Sequence, residues 1–297
     1  MNIKESVSNW VEVMRPFSWP CIILPALLGG AFAFKKGEFS ALRFIILLAG
    51  IMLIHIGITI VNEYYDVKNN IDTIEQEKPS KVLVEKRINP EMALKVSHFL
   101  ILLAFIGSSI FIIYTGLWRL YIFLAMGILG GYYYTAPPIH LKYRGLGVPA
   151  NFIILGLLIP QAVNYGLQGE IYIPGVGLSL TMGLLTIAIL WINDMRDIEA
   201  DQGITTLVGL LGLKKSFYIY LFLLFSPYLL LIYYIYTGVF AIYGLAGFFT
   251  LPLPIWLALK AYKGVQGRRE HLSYLDQQTA YLMLSFNIIW LIIYVSS

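Results

Sequence analysis

The stretch Trp191-Ile-Asn-Asp-Met-Arg-Asp-Ile-Glu-Ala-Asp201 decides how this chain is read. It closes an apolar run, 173–192, long enough to cross a bilayer as a helix. If the helix continues past Ile192, then Asn193, Asp197 and Asp201 fall at i, i+4 and i+8, a single stripe of oxygen ligands with Asp194 one position round. Acids crowded at a helix C-terminus oppose the helix dipole, so a cation is expected to neutralise them. An earlier segment repeats the plan. The run 44–61 ends in Asn62-Glu-Tyr-Tyr-Asp-Val-Lys-Asn-Asn-Ile-Asp72, where Asn62 and Asp66 are again i, i+4. Six residues turn a helix by about 240°, so Asp72 joins Asp66 only if the helix ends between them. Asn69 and Asn70 supply such an ending, because Asn favours caps and turns. Two acidic clusters, each closing an apolar span, are expected to face one ligand.

Composition sets the solvent. Of 297 residues 58% are hydrophobic and only 13% charged, against about 25% charged in soluble domains. The expected fold is an all-α polytopic membrane protein forming one membrane-embedded domain over 1–297. No short apolar segment with a small-residue cleavage site opens the chain, so no removable signal is expected. Cys21, the only cysteine, excludes an intrachain disulfide and a thiolate metal cage. Apolar runs place nine spans near 19–34, 42–65, 96–115, 118–136, 149–168, 173–193, 217–236, 239–260 and 277–296. With the N-terminus cytoplasmic, alternation leaves only Lys35, Lys36, Arg43 and Arg119 of the 21 Lys and Arg on the opposite side. That asymmetry fits the positive-inside rule. It puts both clusters and their loops in the cytoplasm and the C-terminus on the other face. The clusters begin at 62 and 193, each after an even-numbered span, which suggests a pseudo-repeat of about 1–140 and 141–297.

Asn and Asp offer hard oxygen donors, with no Cys and few His nearby, so Mg²⁺ is the expected metal. Magnesium held by a few carboxylates keeps positions open for phosphate oxygens. Lys68, Lys142, Arg144 and Arg196 are candidates to pair with such oxygens. The implied ligand is a diphosphate headgroup at the membrane boundary, with an apolar tail among the helices. No nucleic-acid partner is expected. His55, inside the second span, reads as a packed histidine, and the run Tyr132-Tyr-Tyr134 first as an interfacial belt.

The paired motifs Asn62-Glu-Tyr-Tyr-Asp66…Asp72 and Asn193-Asp-Met-Arg-Asp197…Asp201 resemble the twin aspartate-rich motifs of the UbiA-type intramembrane prenyltransferases. Three further features are similar to the branch that prenylates 1,4-dihydroxy-2-naphthoate in menaquinone synthesis, with its animal homologue. These are Met14-Arg-Pro-Phe-Ser-Trp-Pro20, the gap from Asp66 to Asp72, and Lys142-Tyr-Arg-Gly-Leu-Gly147. The resemblance implies a nine-helix UbiA-like bundle with a central cavity open to the cytoplasmic side. It implies Mg²⁺-assisted ionisation of a polyprenyl diphosphate and transfer to an aromatic acceptor. Asn62, Asp66, Asn193 and Asp197 would form the catalytic centre. Together with Asp72 and Asp201, and with Asp194 beside them, they would hold the metal, while Tyr134, Thr135 and Lys142 would touch the diphosphate. The chain departs from the family pattern at Glu63, where an Asp often follows the first Asn, and at Val148, where an acid commonly follows Gly-Leu-Gly. Transfer to 4-hydroxybenzoate or to a glycerol-phosphate hydroxyl are alternatives within the enzyme class. A cation or lipid transporter is the alternative outside it, although its carboxylates would be expected nearer the membrane midplane.

Overall fold

The structure, a computed structural model, describes residues 3–71, 80–199 and 203–297. Among these every long element is a helix: α1 (Ile3–Val13), α2 (Pro20–Lys35), α3 (Ala41–Lys68), α4 (Pro90–Thr115), α5 (Leu120–Tyr132), α6 (Gly147–Gln168), α7 (Ile173–Arg196), α8 (Leu207–Tyr236), α9 (Ile242–Val265) and α10 (Leu275–Ser296). Local chemistry explains the boundaries. The Ser40, Asn89 and Thr206 side chains accept the Arg43, Met92 and Gly209 amides and start α3, α4 and α8. Gly116 and Gly169 take left-handed conformations and end α4 and α6.

Each of the nine apolar runs is helical at its centre, but not all nine form a helix of full spanning length. Among the described residues seven helices are long and apolar enough to cross a membrane. An eighth span requires Lys4–Ser18 and Pro20–Lys35 to count as one, although they are bent by 53°. Arg15, in the left-handed region at φ 50°, and Pro16 and Pro20 make that bend. Helix α5 is 13 residues long, about 20 Å at 1.5 Å per residue and short of a ~30 Å hydrocarbon core. The run near 118–136 overestimated it because its last four residues, 133–136, form a turn and not helix.

Helices α2, α7, α8, α9 and α10 share the main apolar core, with Trp290, Tyr220, Phe32, Phe240 and Phe286 all but fully buried. Residues such as Leu42, Phe99 and Phe249 are well exposed on the outside, as lipid-facing side chains are. Helix α6 widens into a π-helical segment over Phe152–Leu158, a distortion that often accompanies functional sites. It lays Gly156 against α7, where a Cβ would come within 2.6 Å of the Gly183 Cα. That close approach couples the α3–α6 half of the molecule to the α7–α10 half.

Candidate active site

Both acidic clusters lie at helix C-termini on one end of the bundle. Helix α3 runs through Asp66 to Lys68, then stops as predicted. Asn70 turns left-handed at φ 56°, and the Ile71 amide closes onto the Asp66 carbonyl at 2.8 Å. The Asp66 carboxylate is buried, yet both its oxygens are engaged. Lys142 Nζ donates to Oδ2 at 2.7 Å and the Tyr143 hydroxyl to Oδ1 at 2.7 Å. One turn back, Asn62 Oδ1 accepts the buried Thr135 hydroxyl at 2.8 Å.

These partners come from the segment between α5 and α6, which left-handed residues at His140 (φ 52°) and Gly145 (φ 75°) fold back on itself. His140 Nδ1 donates to the Thr135 carbonyl at 2.7 Å, and its ring stacks on Tyr143 with centroids 5.4 Å apart. The turn directs Lys142 and Tyr143 towards Asp66 and sends Arg144 outward, to the Pro138 carbonyl at 3.3 Å. Lys68 likewise points away and stands over the Tyr64 and Tyr65 rings at 5.5 and 5.9 Å. Two of the four predicted phosphate-pairing cations, Lys142 and Arg196, therefore sit on the clusters, while Lys68 and Arg144 do not. Tyr143 was passed over in favour of the charges flanking it.

The second cluster differs from its expected form. Helix α7 ends at Arg196, with the Asp197 amide still bonded to the Asn193 carbonyl at 3.0 Å. The i, i+4 pair survives, but no helical stripe continues towards Asp201. Arg196 gathers the cluster. Its Nε and Nη2 donate to the two Asp197 oxygens, each at 2.8 Å; Nη2 also meets Asn193 Oδ1, and Nη1 donates to Asp276 Oδ2 at 2.8 Å. Asp276, in the first turn of α10, was not foreseen. The available signal was a lone acid at the mouth of an apolar span.

Tyr134 lies between the clusters. Burial pushes its phenol above the ordinary value; Lys142 pulls it back, and Asp194 and Asp66 raise it again. One side chain thus feels a carboxylate from each half. Gly147 leaves room for it, since a Cβ there would sit 3.0 Å from the Tyr134 hydroxyl. Burial also raises the Tyr143 phenol, reinforced by the Asp66 charge. The loops are joined as well. The Thr205 amide donates to the Tyr143 carbonyl at 3.0 Å, pairing 143–144 with the segment after the second cluster.

Asp72 and Asp201 lie outside the described residues. Among the described residues no three carboxylate, imidazole or thiol groups meet at one point. Instead each cluster presents an Asp–Asn pair already carrying a cation, Lys142 on one and Arg196 on the other. An all-oxygen donor set whose charge demands a cation even without metal suits Mg²⁺.

From Asn62 and Tyr134 a cavity of about 540 Å³ runs among α3, α4, α5 and α6. Its lining reaches Ile46, sixteen residues back along α3, or about 24 Å at the helical rise. Nearly all the lining is apolar. His55, within it, bonds Ser18 Oγ at 3.0 Å, a packed role as expected. The cavity is off-centre: it belongs to the α3–α6 half, because large side chains fill the space between α7, α8 and α10.

A family model described as the UbiA prenyltransferase family matches residues 22–288. UbiA prenyltransferase domain-containing protein 1 of Homo sapiens is 29% identical over 290 residues, covering 95% of this chain and 81% of that protein. Among solved structures, a UbiA homologue from Archaeoglobus fulgidus bound to GPP and Mg²⁺ has a TM-score of 0.63 at 16% identity, over 95% of this chain and 99% of that one. A digeranylgeranylglyceryl phosphate synthase has a TM-score of 0.61 at 20% identity, over 99% and 100%. The two structures share the fold, and the family match over residues 22–288 spans both clusters, the segment between α5 and α6 and the residues lining the cavity: this chain belongs to the UbiA prenyltransferase family.

Proposed function

We propose that the chain transfers the prenyl group of a polyprenyl diphosphate to an aromatic acceptor of the 1,4-dihydroxy-2-naphthoate type, with Mg²⁺ as cofactor. The observation that carries this reading is a cation-loaded Asn62–Asp66 cluster at the polar end of a long apolar cavity, with Tyr134 of that lining influenced by Asp66 and by Asp194 of the second, likewise cation-loaded cluster. Asn62, Asp66, Asn193, Asp194 and Asp197 would hold the metal, with Asp72 and Asp201 expected to join them. The chemistry that Mg²⁺ supplies when bound is neutralisation of the charge growing on the diphosphate as the allylic C–O bond breaks.

The chain's own residues do the rest. Lys142 and Arg196, once released from their carboxylates, can present N–H donors to phosphate oxygens. Tyr134 and Tyr143, kept neutral by burial, offer hydroxyl donors beside them. The tail lies in the cavity, whose apolar walls exclude water, and the Tyr134 ring lines the polar end where the allylic cation forms. An electron-rich ring carbon of the acceptor then attacks that cation, and the ring regains aromaticity by losing the proton, or the carboxylate as CO₂, from the carbon attacked.

The excess of Lys and Arg at the cluster-bearing end supports a cytoplasmic mouth and a cytoplasmic N-terminus, with the C-terminus opposite. On this topology α5 and the bent α1–α2 pair complete nine passes, and the like construction of the two clusters fits a pseudo-repeat within one domain. Asp66→Ala and Asp197→Ala should each abolish transfer from a radiolabelled allylic diphosphate in proteoliposomes. Full turnover in both variants refutes the assignment. An acceptor panel tests the finer claim: consumption of glycerol phosphate but not of dihydroxynaphthoate or 4-hydroxybenzoate would remove the aromatic acceptor.

A further inference from the structure

Among the described residues Asp276 is an acid that pairs with the second cluster from outside both motifs. It is buried, and it uses a single oxygen: Oδ2 takes Arg196 Nη1 at 2.8 Å, while Oδ1 has no hydrogen-bond partner. An acid in a first helical turn is ordinarily explained by capping or by the helix dipole. The N-cap position of α10 is Tyr274, not Asp276, and it carries no side-chain cap bond. A half-satisfied buried carboxylate is costly and calls for a further donor. The nearest candidate is the guanidinium it already holds, whose Nε and Nη2 are at present on Asp197.

Arg196 occupies the oxygens of Asn193 and Asp197 that a divalent ion would need. It cannot be neutralised by losing a proton, so metal binding requires it to move to another anion. We propose that Asp276 is a positioning residue that provides this second seat. It tethers Arg196 as the resident counter-ion of the second cluster, then accepts the guanidinium on both oxygens when a divalent cation takes Asp197. The inference rests on the prenyltransferase reading above and adds a device for loading its metal.

The test is Mn²⁺ binding to the purified full chain in detergent, with no diphosphate present, followed by the free-ion electron paramagnetic resonance signal. Asp276→Asn removes one of the two carboxylates that Arg196 pairs with among the described residues, leaving it on Asp197, and should weaken Mn²⁺ binding at least ~10-fold. Arg196→Met removes the competitor and should bind Mn²⁺ more tightly than wild type. The double variant should recover that affinity although transfer stays impaired, and Asp276→Glu should restore part of the loss. A purely structural Asp276 predicts otherwise, with the double variant as weak as Asp276→Asn. That result, or wild-type affinity in Asp276→Asn, overturns the proposal. Should Asp276→Asn fail to fold, Arg196→Met decides alone, and affinity no tighter than wild type refutes the idea. Wild-type protein that binds no Mn²⁺ would instead bring down the prenyltransferase reading, and this inference with it.

Discussion

The cavity can be shortened at a position where the fold has room. Gly107, on α4, lines it, and a Cβ added there meets nothing within 4 Å. Its neighbour Ser108 lies level with Gly50 of α3, since a Cβ at Gly50 would be 3.2 Å from the Ser108 hydroxyl. Gly50 is twelve residues from Asn62, so Gly107→Phe would block the channel about 18 Å from its polar mouth instead of about 24 Å. A short tail still fits, whereas a long one must fold back or force the wall. Overpacking of that kind costs about 1–3 kcal/mol, or on the order of 10- to 100-fold in kcat/KM. The assay compares a two-isoprene with a four-isoprene donor in proteoliposomes at fixed acceptor. Loss confined to the longer donor is expected. Equal activity on both would show that the tail lies elsewhere, and equal loss on both would show that the substitution damages the mouth rather than the depth.

Thr135→Val removes the hydroxyl on Asn62 while keeping shape, and should lower transfer on the order of 10-fold with an unchanged melting temperature. The raised phenol of Tyr143 keeps its proton, and so its bond to Asp66, through pH ~10, where an ordinary tyrosine titrates. Tyr143→Phe should therefore lower activity without moving the alkaline limb of the pH profile. An alkaline limb near pH ~9 that vanishes in this variant would contradict the shift. Arg87 clamps Glu12 with two bonds, at 2.6 and 2.8 Å, and Asn9 with a third at 2.8 Å. Arg87→Met should accelerate hydrogen exchange in α1 on the order of 10-fold and leave exchange in α7 unchanged.

The distinction between legible and hidden features follows the range of the forces. Spans and clusters were legible because bilayer thickness and helical period act on neighbouring residues, as at 62–66 and 193–197. The turn at Asn69 and Asn70 was legible for the same reason. What was missed depends on contacts far apart in sequence. Asp276 matters only because α10 starts beside the end of α7, eighty positions earlier. Arg144 outranked Tyr143 in the sequence because charge attracts attention. The backbone turns at His140 and Gly145, which decide the facing of both, carry no periodic signal. The π-helical stretch of α6 and the 53° bend before α2 are likewise invisible to hydropathy, which counts apolar residues and not their hydrogen bonds.

Lys142 on Asp66 and Arg196 on Asp197 make each acidic cluster an internal salt. The polypeptide can thus be inserted, packed and stored with a resident cation on each cluster. A chelator should silence such a protein without unravelling it. On the Mg²⁺ reading proposed above, scarcity of the ion would throttle output, while the number of intact molecules in the bilayer stays the same.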